Sequence, residues 1–195
     1  VDPGEGIVSA TPRPPIRRSG LGVSAMETTD STRSTVLLIA GVGKSGSTLL
    51  GAMLGQIPGY LNVGEVISLE HAWQSDHTCG CGAAITACRF WGPVIQDSIG
   101  RLDALDTRQW ANLHTKTLLA PATILRKLGP ESADPVFPQL AAVYASLLRR
   151  QPGHVIVDGS KSFRYARVLS RNPAISLRIV HLLRDPRAVE YSKAR

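Results

Sequence analysis

Leu37-Leu38-Ile39-Ala40-Gly41-Val42-Gly43-Lys44-Ser45-Gly46-Ser47-Thr48-Leu49-Leu50 decides how this chain is read. An apolar β-type run enters a turn of glycines, one lysine and three hydroxyls, and an apolar helix follows. Such a turn aims backbone N–H groups and the positive end of a helix at one spot, where a phosphate or sulfate binds. Glycines admit the anion close to the backbone, Lys44 adds a point charge, and Ser45, Ser47 and Thr48 complete the shell. A strand-to-helix turn without a ligand is the plain alternative. The Walker A pattern G-x-x-x-x-G-K-S/T fails on spacing, because its first glycine falls on Leu38, inside the strand.

A different pattern fits: Lys44-Ser45-Gly46-Ser47-Thr48-Leu49-Leu50 directly after a strand. It resembles the 5′-phosphosulfate loop of sulfotransferases, which use 3′-phosphoadenosine 5′-phosphosulfate (PAPS) as donor. A second stretch agrees. Ser176–Leu183 reads as a buried strand, followed by Arg184-Asp185-Pro186-Arg187-Ala188-Val189-Glu190-Tyr191-Ser192. Sulfotransferases carry an arginine at the end of such a strand and a serine eight positions on, both on the donor's 3′-phosphate; Arg184 and Ser192 have that spacing. Pro186 suits a first helical turn, and an arginine fork suits a phosphate dianion. The alternative is a surface ion pair between Arg184 and Asp185, worth about 0–1 kcal/mol.

The resemblance implies an α/β fold: a parallel β-sheet flanked by helices in the three-layer, P-loop-like sandwich of sulfotransferases. It implies that Gly43, Lys44, Ser45, Gly46, Ser47 and Thr48 hold the 5′-phosphosulfate, while Arg184 and Ser192 hold the 3′-phosphate. Lys44 then neutralises charge on the departing phosphate, so the reaction needs no metal. In the tyrosylprotein branch a glutamate in a Gly-Glu pair is the base; Gly64-Glu65 is similar, one residue further from the lysine. The steroid and phenol branch uses a histidine after a central strand, and Val157-Asp158-Gly159-Ser160-Lys161-Ser162 has none. Glu65 is therefore the expected base, its alternative being a carboxylate facing a helix dipole. Lys161 is expected to assist at the transferring sulfonate, or else to be an ordinary surface lysine. Val155–Asp158 also mimics a Walker B strand. The likeness covers most of residues 35–195 but only the front part of a family member, which continues into a later basic loop. A P-loop kinase or NTPase and a truncated, non-catalytic nucleotide or polyanion binder are the rival readings.

With 195 residues the chain suits one domain. Residues 1–34 are rich in Pro, Gly, Ser and Thr, which predicts a disordered tail, with Met26 a candidate native start. Residues 35–195 form the expected domain, with a helical, Cys-containing insert at about 66–150. Arg13, Arg17, Arg18 and Arg33 balance Asp2, Glu5, Glu27 and Asp30, so the net charge of +7 sits in residues 35–195. That field favours PAPS or another polyanion. Aromatics at 5% leave few platforms for stacking bases, which argues against nucleic acid. No stretch reaches the roughly 18 apolar residues of a membrane span. The expectation is a cytoplasmic enzyme with a nucleotide donor and a small-molecule, glycan or lipid acceptor.

Cys79, Cys81 and Cys88, with His77 close by, leave three readings open: a zinc site, a disulfide from Cys88 to Cys79 or Cys81, or reduced structural thiols. The H-x-C-x-C spacing is tighter than the usual C-x(2–4)-C. The C-x-C-G…C-x-F-W stretch looks similar to bacterial members of the family, where it suggests a structural insert. His71, His77, His114 and His181 read as structural.

Alternation of patterns predicts strands at Val36–Ala40, Tyr60–Val63, His154–Asp158 and 176–183. Helices are predicted at Ser47–Gln56, 66–75, Gly92–Ile99, Thr107–Leu128, Pro138–Arg150, Phe163–Arg171 (capped by Ser160 or Ser162) and from Pro186. Strands alternating with helices imply parallel pairing, with ligands at the strands' carboxyl ends.

Overall fold

The computed structural model describes residues 33–98, Trp110 and residues 137–194. Four strands, β1 (Ser34–Gly41), β2 (Tyr60–Asn62), β3 (Val155–Lys161) and β4 (Ile175–Leu182), form one sheet in the order β2-β3-β1-β4. Every pairing is parallel: Val36 lies opposite Ile156 and Leu177, and Leu61 opposite Ile156. The helices are α1 (Ser47–Leu54), α2 (Leu69–Gln74), α3 (Trp91–Ser98), α4 (Phe137–Arg150), α5 (Phe163–Leu169) and α6 (Pro186–Lys193). A short 3₁₀ turn, Val66–Ser68, precedes α2.

The expected parallel α/β sheet flanked by helices is present. β1 is apolar on both faces because it is central, and Val36, Leu38, Ile39 and Ala40 are fully buried. Alternation puts Val36, Leu38, Ile156 and Leu177 on one face, packed with Leu140, Val143, Tyr144 and Leu147 of α4 and Tyr165 and Leu169 of α5. Trp110 joins this core and donates its indole N–H to the Ile67 carbonyl at 2.6 Å. On the other face α1 lies against β2. A Cβ at Gly55 would sit 2.9 Å from the Asn62 Cβ, so that approach requires glycine.

Element boundaries differ from expectation where side chains bond the backbone. β3 runs three residues past Asp158, to Lys161, because the Asp158 carboxylate accepts from the Ser160 N–H at 2.9 Å and holds the strand's end. α5 stops at Leu169 rather than Arg171, and its cap is Ser162, whose Oγ accepts from the Tyr165 N–H at 3.3 Å. α1 ends at Leu54, two residues early, with Gly55 as its C-cap. The expected helix at Thr107–Leu128 lies outside the described residues apart from Trp110, as do residues 1–32 of the expected tail. β4 is not the buried strand expected at 176–183: it lies at the edge of the described sheet, and Ile179 and Val180 on it, Leu183 at its exit and Tyr191 on α6 are exposed. No helix among the described residues is long and apolar enough to cross a membrane.

Candidate functional site

In a parallel sheet all strands end on the same side, and here each of the four delivers one candidate residue there. Across the sheet they run Glu65 after β2, Lys161 at the end of β3, Lys44 after β1 and Arg184 after β4. One carboxylate and three cations thus share the carboxyl edge, the side where open α/β sheets take ligands.

The Lys44 turn is the centre. Leu38, where Walker A needs its first glycine, is fully buried in β1. Gly41 closes the strand against β4: a Cβ there would lie 2.6 Å from the Leu182 carbonyl oxygen. Lys44 follows with φ 65°, a left-handed conformation uncommon outside glycine. Gly46 is the N-cap of α1 and makes no side-chain cap hydrogen bond, which leaves the helix's first-turn N–H groups as candidates for an outside acceptor. Ser45 is 8% exposed, and its hydroxyl has no hydrogen-bond partner among the described residues. A buried hydroxyl without a partner is an exception that calls for one.

Arg184 reaches this turn directly. Its Nη1 donates to the Lys44 carbonyl at 2.7 Å, across 140 positions of sequence. The anticipated alternative, an Arg184–Asp185 ion pair, is absent among the described residues. Asp185 instead caps α6, accepting from the Arg187 N–H at 2.9 Å and pairing with the Arg187 guanidinium at 2.8 Å. That pairing, with the bond from the Arg187 N–H, holds its carboxyl below the usual range. A cavity of about 250 Å³ beside Arg184 is lined by Val42, His181, Leu182 and one face of α6, namely Pro186, Val189, Glu190 and Lys193. Ser192 is half-buried, one turn beyond Val189, and is not among the lining residues.

Glu65 and Lys161 form an ion pair, Lys161 Nζ to Glu65 Oε1. Two of the three expected catalytic side chains are thus brought together by the β2–β3 pairing. That pairing continues past β2: the Val63 N–H donates to the Val157 carbonyl at 3.0 Å, and the Gly159 N–H to the Gly64 carbonyl at 2.6 Å. Lys161, like Lys44, is left-handed, with φ 62°. Glu65 borders a cavity of about 360 Å³ with Val63, Leu69, Cys79, Ile85 and Trp91.

Sequence reasoning gave Asp158 no role beyond a likeness to Walker B. The structure makes it the hub under the site. It is fully buried and accepts from the Ser160 N–H and hydroxyl, from the Val66 N–H at 3.4 Å and from the Tyr144 hydroxyl at 2.5 Å. Tyr144 in turn lies 3.0 Å from the Tyr165 hydroxyl, and Ser160 Oγ accepts from the Ile67 N–H at 3.0 Å. Burial raises the Asp158 carboxyl above its usual range, although the bonds from Ser160 and Tyr144 oppose it. Burial, with the Asp158 charge, likewise pushes both tyrosines up. Fully buried, with three donors on Oδ1 and the Tyr144 hydroxyl on Oδ2, Asp158 is withdrawn from the surface where a metal–nucleotide complex would sit. Through Val66 and Ile67 it fixes the backbone that carries Glu65. The run Asp158-x-Ser160 after an apolar strand, with tyrosines on two facing helices, was the available signal.

Comparison with family models, curated proteins and solved structures gives no match for this chain.

Proposed function

We propose that this protein is a PAPS-dependent sulfotransferase with the family's P-loop-like fold. The observation that carries the proposal is the contact between the two anion motifs: the Arg184 guanidinium sits on the Lys44 carbonyl at 2.7 Å, next in sequence to Ser45, whose hydroxyl has no partner among the described residues. Two turns this close can grip one doubly phosphorylated nucleotide. The Lys44 turn and the α1 N-terminus hold the 5′-phosphosulfate, through Gly43, Lys44, Ser45, Gly46, Ser47 and Thr48, while Arg184 and Ser192 take the 3′-phosphate. Glu65 removes the proton of an acceptor hydroxyl or amine lying in the adjoining cavity. The acceptor atom bonds to sulfur, the bond from sulfur to the phosphate oxygen breaks, and Lys44 with its preorganised N–H dipoles meets the charge left on that oxygen. Lys161, released from Glu65 as the proton arrives, faces the sulfonyl oxygens. The full burial of Asp158 and its engagement by Ser160 and Tyr144 count against the kinase and NTPase reading, which would use that carboxylate for a magnesium ion.

The test is transfer of radiolabelled sulfonate from PAPS to a panel of hydroxyl and amine acceptors, with chelator present. Transfer with chelator supports the reading. Thermal stabilisation by ATP–Mg²⁺ but not by adenosine 3′,5′-bisphosphate replaces it with a P-loop kinase. Bisphosphate binding without transfer to any acceptor replaces it with a non-catalytic nucleotide binder.

A further inference from the structure

The loop between α2 and α3 gathers all three cysteines of the chain. Cys88 Sγ lies 3.4 Å from Cys79 Sγ and 3.7 Å from Cys81 Sγ, and the three sulfurs fall within 4.8 Å of one another. The backbone around them is pinned. Thr78 bridges Ala84, the Cys79 N–H donates to the Ala83 carbonyl at 2.7 Å, and the Ile85 N–H returns to the His77 carbonyl at 2.9 Å. The Trp91 N–H lies 3.4 Å from the buried Cys88 sulfur, an orientation that favours a thiolate.

We propose that Cys79, Cys81 and Cys88 bind one thiophilic d¹⁰ divalent ion of the zinc class, its fourth position taken by water or an exogenous ligand. Three thiolates about 2.3 Å from a tetrahedral ion lie roughly 3.8 Å apart, and the two separations from Cys88, 3.4 and 3.7 Å, fall just short of that value. A disulfide joins only two sulfurs, at about 2.05 Å, and leaves unexplained a third sulfur converging at the same range. The tight C-x-C spacing, unfavourable on paper, is accommodated because the turn closed by the Gly82 N–H to the Cys79 carbonyl at 2.8 Å points both thiols at Cys88. His77 stays outside the set: its Nδ1 is 3.1 Å from Ser75 Oγ, and its ring stands edge-on to His71. Soft thiolates select zinc-like ions over magnesium or calcium. The ion would staple the segment that walls the cavity beside Glu65, since Cys79, Gly80, Ile85 and Trp91 line it. The inference stands apart from the proposed reaction.

The experiment uses the full chain, purified under reducing conditions without chelator, with elemental analysis, native mass and a cobalt(II) titration. One zinc per chain is expected, and cobalt should give the near-ultraviolet sulfur-to-metal charge transfer and tetrahedral visible bands of thiolate ligation. Cys81→Ser and Cys88→Ser should each weaken zinc binding by more than the roughly 10–100-fold that loss of an outer-shell partner costs, while His77→Ala leaves it unchanged. A reduced wild-type chain that takes up neither zinc nor cobalt overturns the proposal whether or not the variants fold. So does a chain isolated two hydrogens light with a Cys79–Cys88 disulfide and no metal, or a Cys81→Ser variant that binds zinc as tightly as the parent.

Discussion

Removing the Asp158 carboxylate should destabilise the protein from beneath its site without unfolding it outright. In Asp158→Ala the Ser160 N–H and hydroxyl lose their acceptor, and both are buried. The Tyr144 hydroxyl falls back on Tyr165 at 3.0 Å, and the Val66 bond, long at 3.4 Å, contributes little. Two orphaned buried donors at about 1–3 kcal/mol each give a gross loss of about 2–6 kcal/mol. Relief of the carboxylate's own burial penalty offsets part of that, leaving about 2–4 kcal/mol. With a urea m-value of about 1–3 kcal/mol/M, the unfolding midpoint drops by roughly 1–3 M. Asp158→Asn keeps the volume and one acceptor oxygen, and Tyr144 can accept from the amide, so its loss stays below about 1.5 kcal/mol. The two variants also separate with pH. Because the folded carboxyl is raised, its stabilisation is complete below the usual carboxylate range and is lost as pH rises through the folded value. The deficit of Asp158→Asn against wild type is therefore largest in acid and shrinks toward neutrality. Urea unfolding followed by circular dichroism from mildly acid to neutral pH reads all three quantities. An alanine variant within about 1 kcal/mol of wild type, or an asparagine deficit that grows with pH, refutes the hub.

Gly41→Ala places a Cβ 2.6 Å from the Leu182 carbonyl oxygen, a backbone atom, so β1 and β4 must part; a loss of about 1–3 kcal/mol is expected, and an unchanged melting temperature contradicts the register. Arg184→Ala removes a charged donor and should weaken adenosine 3′,5′-bisphosphate by about 10–150-fold in calorimetry, with a much smaller effect on the 5′-monophosphate. Equal losses for both ligands would move the 3′-phosphate elsewhere. Glu65→Gln should cut sulfonate transfer by about 10²–10⁴-fold and leave donor affinity nearly intact; a normal rate relocates the base.

Local patterns carried most of the fold. The apolar runs at β1, β3 and β4 and the helical spacing of Leu140, Val143, Tyr144 and Leu147 act within a few residues, so the sequence displays them directly. Parallel pairing followed from strand–helix alternation, and it places Lys44, Glu65, Lys161 and Arg184 along one edge. What stayed hidden is set by long-range geometry. The Asp158 hub joins residues from β3, α4, α5 and the turn after Glu65, and no window of sequence contains them. The cysteines were visible as a cluster, but which way their sulfurs point depends on the turn at Gly82. A pair between Arg184 and its neighbour Asp185 was the alternative in sequence; Arg184 instead reaches Lys44, and the α6 cap engages Asp185 with Arg187.

Whether one nucleotide spans the two turns is measured directly by a crystal structure with adenosine 3′,5′-bisphosphate. It should show the 5′-phosphate on the Lys44–Thr48 backbone with Ser45 Oγ engaged, and the 3′-phosphate on Arg184. A bisphosphate that binds away from the sheet's carboxyl edge, or touches the Lys44 turn while its 3′-phosphate points to solvent away from Arg184, contradicts the proposed function.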